Sequence, residues 1–224
     1  MTLIPFPVRR GFEAILDPIA RSLITARVNP NTLTTIGTLV LVAGGWAYGA
    51  GWVRWGGAML LLSGVFDMLD GKVARFGSGT TRFGAFYDST LDRVGEVALF
   101  TGIAVYFLGG GVPPERAVTA VVICMTALGA SVTVSYARAR AEGLGLDCRV
   151  GLAQRAERIL GLGVPTLFFG AGPDGWLLLG IVVLLGATSV ITVVQRIAHV
   201  QRITRGETGN SVLPDHAGKG QSGR

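Results

Sequence analysis

Four aspartates are concentrated around the junction of two apolar segments. Asp67 and Asp70 lie three residues apart near the end of one segment, and Asp88 and Asp92 lie four residues apart near the start of the next. Residues three or four apart share a face of an α-helix, so each pair presents both carboxylates on one side. Carboxylate oxygens suit Mg²⁺ or Mn²⁺, and four carboxylates can hold two such ions about 4 Å apart. The spacing predicts a divalent-metal site able to neutralise a phosphate or pyrophosphate group.

The residues around the aspartates favour the close approach of a charged ligand. Gly71 follows Asp70, and Gly84 lies one helical turn before Asp88. A position without a side chain lets a backbone or a ligand come near, and Arg75 is placed to make a bidentate phosphate contact. An ionised Asp near the centre of a bilayer costs on the order of 3 kcal/mol, so four such aspartates need cations or a polar cavity to compensate them.

Six apolar segments frame these residues and are long enough to be transmembrane helices. A helix rises about 1.5 Å per residue, so roughly 20 residues cross about 30 Å of hydrocarbon. The segments are 34–53, 56–75, 83–108, 117–140, 156–172 and 175–198. Hydrophobic residues make up 50% of the chain and charged residues 15%, whereas soluble domains carry about 25% charged residues. The sequence predicts an all-α fold, an integral membrane bundle of six transmembrane helices.

The basic residues predict how this bundle is oriented. With the N-terminus inside, only Arg54 and Arg116 fall on the outer side, and all other Lys and Arg residues lie on the cytoplasmic side or at its helix ends. This asymmetry follows the positive-inside rule, and five spans would break it at the basic C-terminal tail. We therefore expect a multi-pass protein of the inner (plasma) membrane with both termini in the cytoplasm. A soluble nucleic-acid-binding protein is excluded, because its positive charges would not be distributed between apolar segments.

The chain divides into three regions. Residues 1–31 are predicted to form a cytoplasmic N-terminal segment, residues 32–205 the six-helix transmembrane domain, and residues 206–224 a disordered cytoplasmic tail, which is polar and rich in Gly and Ser. Within residues 8–24, apolar residues recur with a helical period at Val8, Phe12, Ile15, Ile19 and Leu23. That period is typical of an amphipathic helix lying in the membrane interface, and an ordinary helix packed as a cap explains it equally well.

The order of the aspartates, glycines and arginine resembles a known family signature. From Asp67 to Asp92 the chain reads Asp-x2-Asp-Gly-x2-Ala-Arg-x8-Gly-x3-Asp-x3-Asp, which is similar to the full signature of the CDP-alcohol phosphatidyltransferase family. The resemblance implies a six-helix membrane fold, a homodimer, and a reaction in which an alcohol displaces CMP from a CDP-linked lipid such as CDP-diacylglycerol. It also implies Mg²⁺ or Mn²⁺ as the cofactor, with two ions bound.

The resemblance assigns metal-binding and catalytic roles by motif position. The expected metal ligands are Asp67, Asp70, Asp88 and Asp92. Asp92 is also expected to act as the general base on the acceptor hydroxyl, which requires a carboxylate within hydrogen-bond reach of that proton. Glu96 continues the face of Asp88 and Asp92 by one turn, where it either supports the site or pairs with a base such as Arg93.

The resemblance also assigns positions that bind the CDP-lipid. These are Gly71 and Arg75 within the signature, Thr81 after it, and the segment Asn31, Thr32, Leu33 and Thr34 before the first span. Asn31 and Thr32 suit a second explanation, because Asn and Thr are good residues for the start of a helix.

A second group of residues predicts the acceptor. Basic residues cluster near cytoplasmic helix ends in the second half of the chain, at Arg138, Arg140, Arg155, Arg158 and Arg196. Topology signals explain one or two of them, and a cluster this dense predicts a phosphate group on the acceptor. The runs 135–145 and 154–158 are similar to the branch of the family that uses inositol 1-phosphate. Arg138 stands where that branch usually has Lys, and Ala156 where it usually has Pro.

The expected acceptor-phosphate ligands are therefore Arg138, Arg155 and Arg196, with Arg158 as an alternative to Arg155. Ser131 and Ser135 share the face of Arg138 and either contact hydroxyls of the acceptor or hydrogen-bond their own helix.

Two other functions compete with transfer to inositol 1-phosphate. Glycerol 3-phosphate is the alternative acceptor, because any phosphorylated alcohol explains the arginines, whereas free serine or free inositol needs fewer positive charges. A divalent-cation transporter is the alternative of another class, because carboxylates within membrane helices often mark ion pathways. A transporter does not require Gly71, Arg75 or the rest of the signature, and CMP release that depends on a CDP-lipid separates it from an enzyme.

Overall fold

The fold is helical throughout the part of the chain that the structure describes. A computed structural model describes residues 6–148, 150–151 and 155–205, without the side chains of residues 6–14, 78 and 155. In these ranges the helices are α1 Phe6–Thr25, α2 Pro30–Gly49, α3 Val53–Val73, α4 Arg82–Tyr106, α5 Pro114–Gly143, α6 Arg155–Phe169 and α7 Trp176–Thr204. The predicted all-α class is confirmed, and the predicted tail 206–224 lies outside the described residues.

The helices α2 to α7 correspond to the six predicted apolar segments. Within the described residues, three helical segments are long and apolar enough to cross a membrane, namely Arg82–Gly111, Pro114–Gly143 and Pro173–Thr204. The 15 residues of α6 extend about 22 Å, which is less than the thickness of the hydrocarbon, and α3 carries Asp67, Asp70 and Lys72 in its last two turns. A membrane protein is therefore supported, and the number of six spans stays a prediction.

Local sequence explains where the helices around the aspartates begin and end. The side chain of Asn29 caps α2 by accepting a 2.9 Å hydrogen bond from the Asn31 amide, and Pro30 is the first helical residue. Asn31 and Thr32 thus lie inside α2 and do not start it. Thr81 caps α4 in the same way, accepting a 2.9 Å hydrogen bond from the Gly84 amide.

Glycines allow α2 to pack directly against both α3 and α4. A Cβ atom built on Gly102 of α4 would lie 1.8 Å from the carbonyl oxygen of Gly45 on α2. A Cβ atom on Gly37 of α2 would lie 2.8 Å from the Cβ of Phe66 on α3. Small residues permit this approach in membrane helices, and the resulting trio of helices brings the ends that carry the aspartates together.

The N-terminal helix packs against α3 and leaves part of its apolar face uncovered. Leu16 and Ala20 are buried in a cluster with Leu33, Leu69 and Val73, whereas Ile15 and Ile19 are 67% and 45% exposed. Lys72 near the end of α3 pairs with Asp17. The helix α1 is therefore held on α3, with apolar residues left on its outer side.

Candidate metal and nucleotide site

Three of the four aspartates converge at the cytoplasmic end predicted for α3 and α4. Asp67, Asp70 and Asp88 each offer a carboxylate oxygen, and these atoms lie within 4.8 Å of one another. Asp70 is 7% exposed, and the other two are half-buried. A close group of hard oxygen donors fits Mg²⁺ or Mn²⁺. Asp92 lies one turn further along α4 and, together with the three, lines one small space between α2, α3 and α4.

A threonine of α2 holds the most buried of these carboxylates. Thr34 Oγ1 donates a 2.7 Å hydrogen bond to Asp70 Oδ2, and both side chains are buried. The two residues are distant in sequence, and the close packing of α2 on α3 brings them together. Thr34 was predicted to bind the CDP-lipid, which stays a prediction, and its hydroxyl also supports the group formed by Asp67, Asp70 and Asp88.

A cleft of about 780 Å³, lined by both polar and apolar residues, opens beside the carboxylates. Of the residues predicted to bind the CDP-lipid, those that line the cleft are Asn31, Thr34, Gly71, Arg75 and Thr81. Leu33 is 5% exposed and packs in the apolar cluster below α1, because its position on α2 faces that helix. Neither Leu33 nor Thr32 is among the residues that line the cleft. Asp70 and Asp88 do line it, so the cleft and the carboxylate cluster are continuous.

The two signature glycines adjoin polar side chains of the cleft. A Cβ atom on Gly71 would lie 3.2 Å from a guanidinium nitrogen of Arg75. A Cβ atom on Gly84 would lie 3.0 Å from Thr81 Oγ1 and 3.4 Å from Asn31 Oδ1. Gly84 therefore lets the first turns of α2 and α4 approach each other, and Gly71 leaves room for the Arg75 guanidinium above the end of α3.

A second polar cluster lies beyond Asp92 on α4. Glu96 pairs with Arg93 and, at 3.2 Å, with Arg158 of α6, and the Ser131 hydroxyl of α5 donates to Glu96. These side chains and Asp92 line a cavity of about 60 Å³. Of the two interpretations of Glu96, the ion pair with Arg93 is confirmed, with Arg158 as a second partner. Ser131 bonds across to α4 and does not bond its own helix.

The predicted acceptor arginines have separate partners. Arg158 lies in the cluster with Glu96. Arg138 pairs with Glu142 at 2.8 Å on the exposed face of α5. Arg196 donates from Nε to the carbonyl oxygen of Val150 at 3.0 Å, and also donates to the carbonyl of Val134. The side chain of Arg155 lies outside the described residues.

The cleft also contains residues that sequence reasoning missed. Arg27, in the turn between α1 and α2, lines it together with Phe76 from the π-helical turn that follows α3. Arg27 precedes the signature by forty residues and belongs to no spacing pattern, so only the folded arrangement of α1 and α2 reveals its position.

The chain is similar to known proteins over most of its length. A family model described as CDP-alcohol phosphatidyltransferase matches residues 27–199. A phosphatidylinositol phosphate synthase of Mycobacteroides abscessus is 38% identical to this chain over 199 residues, which are 88% of each chain.

Solved structures match as well. The crystal structure of Mycobacterium tuberculosis phosphatidylinositol phosphate synthase with CDP-DAG bound has a TM-score of 0.70 and 35% identity, covering 83% of this chain and 92% of that chain. The structure of the same protein in complex with manganese and citrate has a TM-score of 0.70 and 34% identity, covering 82% of this chain and 88% of that chain.

Proposed function

The chain belongs to the CDP-alcohol phosphatidyltransferase family, and we propose that it transfers the phosphatidyl group of CDP-diacylglycerol, or of a similar CDP-lipid, to a hydroxyl of inositol 1-phosphate. The products are phosphatidylinositol phosphate and CMP. The observation that carries the proposal is the convergence of Asp67, Asp70 and Asp88 at one end of a cleft of about 780 Å³. The acceptor is inferred from the M. abscessus relative, which is a phosphatidylinositol phosphate synthase.

The cleft is proposed to take the cytidine and diphosphate of the donor. Its lining combines hydrogen-bonding side chains, Asn31 and Thr81, with the guanidinium of Arg75, and guanidinium groups bind phosphates bidentately. The related M. tuberculosis structure has CDP-DAG bound, which supports a CDP-lipid as the donor. Thr34 lines the cleft and stays a proposed donor contact, and it is also proposed to position Asp70. Thr32 and Leu33 do not line the cleft and are not proposed as side-chain contacts.

The carboxylate cluster is proposed to hold the metal. Three oxygen donors within 4.8 Å fit a first divalent ion, and Asp92 one turn away supplies a further ligand for a second ion. Mg²⁺ or Mn²⁺ bound here would neutralise the diphosphate and stabilise charge on the leaving phosphate. The related structure with manganese supports this type of ion.

Asp92 is proposed to act as the general base. It lines both the small space that contains the other three aspartates and the cavity that contains Arg158. It therefore lies between the cleft proposed for the donor and the arginine proposed for the acceptor phosphate. Its carboxylate accepts the proton of the acceptor hydroxyl, and the hydroxyl oxygen forms a bond to the phosphorus of the phosphatidyl group. The bond from that phosphorus to the CMP oxygen breaks, and CMP leaves with the electron pair.

The acceptor phosphate is proposed to bind the arginines on the other side of Asp92. Of the predicted acceptor arginines whose side chains are described, Arg158 is the best placed, because it shares a cavity with Asp92. Arg155 begins α6 three residues earlier in the chain. Arg138 and Arg196 are part of the proposal, and each has to exchange its present partner for the phosphate when the substrate binds.

The helices α2 to α7 are proposed to be the six spans of a multi-pass protein of the inner membrane, with both termini cytoplasmic and a homodimeric assembly. The exposed Ile15 and Ile19 support placement of α1 in the cytoplasmic interface. The tryptophans support the position of the outer interface of the membrane. All four are exposed near the predicted outer helix ends, at Trp46, Trp52, Trp55 and Trp176. Tryptophan is enriched at membrane interfaces.

CMP release by the detergent-purified protein tests the reaction. The assay contains CDP-diacylglycerol and Mg²⁺ or Mn²⁺, with inositol 1-phosphate, glycerol 3-phosphate, free inositol or serine as the acceptor. Release with inositol 1-phosphate, lost on chelation of the metal and in Asp92→Asn, is the expected result. Release with glycerol 3-phosphate alone would overturn the acceptor, and no CMP release with any acceptor would overturn the proposed reaction.

A further inference from the structure

The turn between α1 and α2 contains an arginine in a backbone conformation that favours glycine. The Val28 amide donates to the Leu23 carbonyl and the Arg27 amide donates to the Ile24 carbonyl, each at 3.0 Å. Arg27 has a φ of +54°. This is the Schellman motif, in which the residue after the helix cap is left-handed and is usually Gly. Val28 and Leu23 both pack against the buried cluster below α1, and a hydrophobic contact between these two positions frequently accompanies the motif.

The arginine therefore occupies a position where it strains the backbone. Among the described residues, only Arg27 and Asp174 have a positive φ without being glycine, whereas eight glycines occupy such positions. A left-handed conformation is unfavourable for a residue with a Cβ atom, and strained residues of this kind are concentrated at ligand-binding sites. A glycine at position 27 would form the same turn without that strain. The strain therefore indicates that the side chain of Arg27 has a role of its own.

The position of Arg27 shows what its side chain can serve. Arg27 lines the cleft of about 780 Å³, which is also lined by Arg75, Asp70 and Asp88. It approaches from the α1–α2 turn, whereas Arg75 approaches from the end of α3. The cleft thus has an arginine on each of two separate walls. A diphosphate carries enough negative charge to contact both arginines and the metal site.

We propose that Arg27 binds a phosphate group of the CDP-lipid donor, so that the donor diphosphate is held by arginines from both walls of the cleft. This proposal rests on the proposed function, since it names a further contact to the same donor. It assigns Arg27 to the donor and gives it no part in binding the acceptor.

The variant Arg27→Gly separates a role in binding from a role in folding, because it is expected to raise the stability of the protein and to lower its affinity for CDP. Removal of backbone strain is expected to raise the Tm in detergent by roughly 2–4 °C. Loss of a charge-assisted hydrogen bond is expected to weaken CDP binding in Mn²⁺ buffer about tenfold, measured by isothermal titration calorimetry. Cytidine, which has no phosphate, serves as the comparison ligand, and its affinity is expected to stay unchanged. The KM for CDP-diacylglycerol rises and the KM for inositol 1-phosphate does not.

Two further variants control for charge and for the membrane surface. Arg27→Lys keeps the charge without the bidentate geometry and is expected to recover part of the CDP affinity. Arg21→Ala removes an exposed arginine of α1 that does not line the cleft, and it is expected to bind CDP as the wild type does.

The outcomes distinguish this proposal from the reaction on which it rests. If the wild type releases CMP and Arg27→Gly binds CDP with wild-type affinity, the role of Arg27 is overturned and the reaction stands. If Arg27→Gly loses affinity only for CDP-diacylglycerol in anionic vesicles and not for soluble CDP, Arg27 contacts lipid headgroups and the proposal is wrong. A wild type that neither binds CDP nor releases CMP overturns both the reaction and the role of Arg27.

Discussion

Thr34 on α2 donates a 2.7 Å hydrogen bond to the buried carboxylate of Asp70 on α3. The hydrogen bond crosses the interface between two closely packed helices, so it fixes the orientation of a carboxylate that lies within 4.8 Å of two others. A buried polar group that is left without its partner costs free energy, and outer-shell partners orient the ligands of metal ions. Thr34 thus connects the packing of the bundle to the geometry of the proposed metal site.

The variant Thr34→Val tests this connection, since it keeps the shape of the side chain and removes the hydroxyl. Loss of the hydrogen bond to Asp70 is expected to weaken Mn²⁺ binding by about 10- to 100-fold, measured by calorimetry or by electron paramagnetic resonance. Thr126→Val is the control, because the Thr126 hydroxyl bonds only the carbonyl of Val122 in its own helix. Wild-type Mn²⁺ affinity in Thr34→Val would show that Asp70 needs no support from α2.

Asp88 and Asp92 lie one turn apart on α4, and their variants are expected to fail in different ways. Asp88→Asn removes a member of the close group of three oxygens and should abolish Mn²⁺ binding together with CMP release. Asp92→Asn should leave binding of the first Mn²⁺ ion measurable while lowering turnover by about 10²- to 10⁴-fold, as expected for loss of a general base.

The control for both aspartate variants is the helical content, followed by circular dichroism, which should match that of the wild type. Near-normal turnover in Asp92→Asn would contradict its role as the base. Retention of full Mn²⁺ affinity in Asp88→Asn would instead place the metal elsewhere in the bundle.

The sequence predicted the convergence of the aspartates because the information is local. Asp67 and Asp70 share a helix face, Asp88 and Asp92 share another, and the turn between the two helices is short. The same local logic extends to the end of α3, where Gly71 and Arg75 line the cleft beside the aspartates. Helical periodicity and turn residues are thus sufficient to predict this half of the site.

The remaining contacts depend on helix packing, which periodicity does not determine. Arg158 lies 62 residues from Glu96, and Thr34 lies 36 residues from Asp70. Leu33 follows Thr32 directly but faces α1, because neighbouring residues of a helix point about 100° apart. Arg27 could not be identified either, because its left-handed turn is formed without the glycine that normally signals one.

The approach of α2 to α4 gives a prediction for the stability of the site. In Gly102→Ala the new Cβ atom would lie 1.8 Å from the Gly45 carbonyl oxygen, so the two helices must separate. Overpacking of this kind costs about 1–3 kcal/mol, which corresponds to a decrease in Tm of roughly 2–4 °C for each kcal/mol in a chain of this size.

Gly129→Ala is the matched control for Gly102→Ala, because a Cβ atom at Gly129 of α5 has no heavy atom within 4 Å. Its Tm in detergent should equal or slightly exceed that of the wild type, since Ala favours helix more than Gly. A wild-type Tm in Gly102→Ala would show that the close contact between α2 and α4 is not needed to hold the aspartate-bearing helix ends together.

Arg158 gives the sharpest test of where the acceptor binds. It shares a cavity with Asp92 and pairs with Glu96, which keeps its second partner, Arg93, when Arg158 is removed. Arg158→Ala should therefore leave the helix framework intact and raise the KM for inositol 1-phosphate by about tenfold or more, as expected for loss of a charge-assisted hydrogen bond. The affinity for CDP and the KM for CDP-diacylglycerol should not change, because Arg158 does not line the donor cleft.

Arg140→Ala controls for the loss of one cytoplasmic positive charge, because Arg140 is exposed near the end of α5 and is not proposed to contact either substrate. Both KM values should stay at the wild-type level in this variant. A parallel rise of both KM values in Arg158→Ala would mean that the Glu96 cluster supports the whole site through Asp92 and does not bind the acceptor phosphate. A rise for inositol 1-phosphate alone places the acceptor phosphate on the α6 side of Asp92, opposite the donor cleft, which is the geometry that an attack on the phosphatidyl phosphorus from the acceptor side requires.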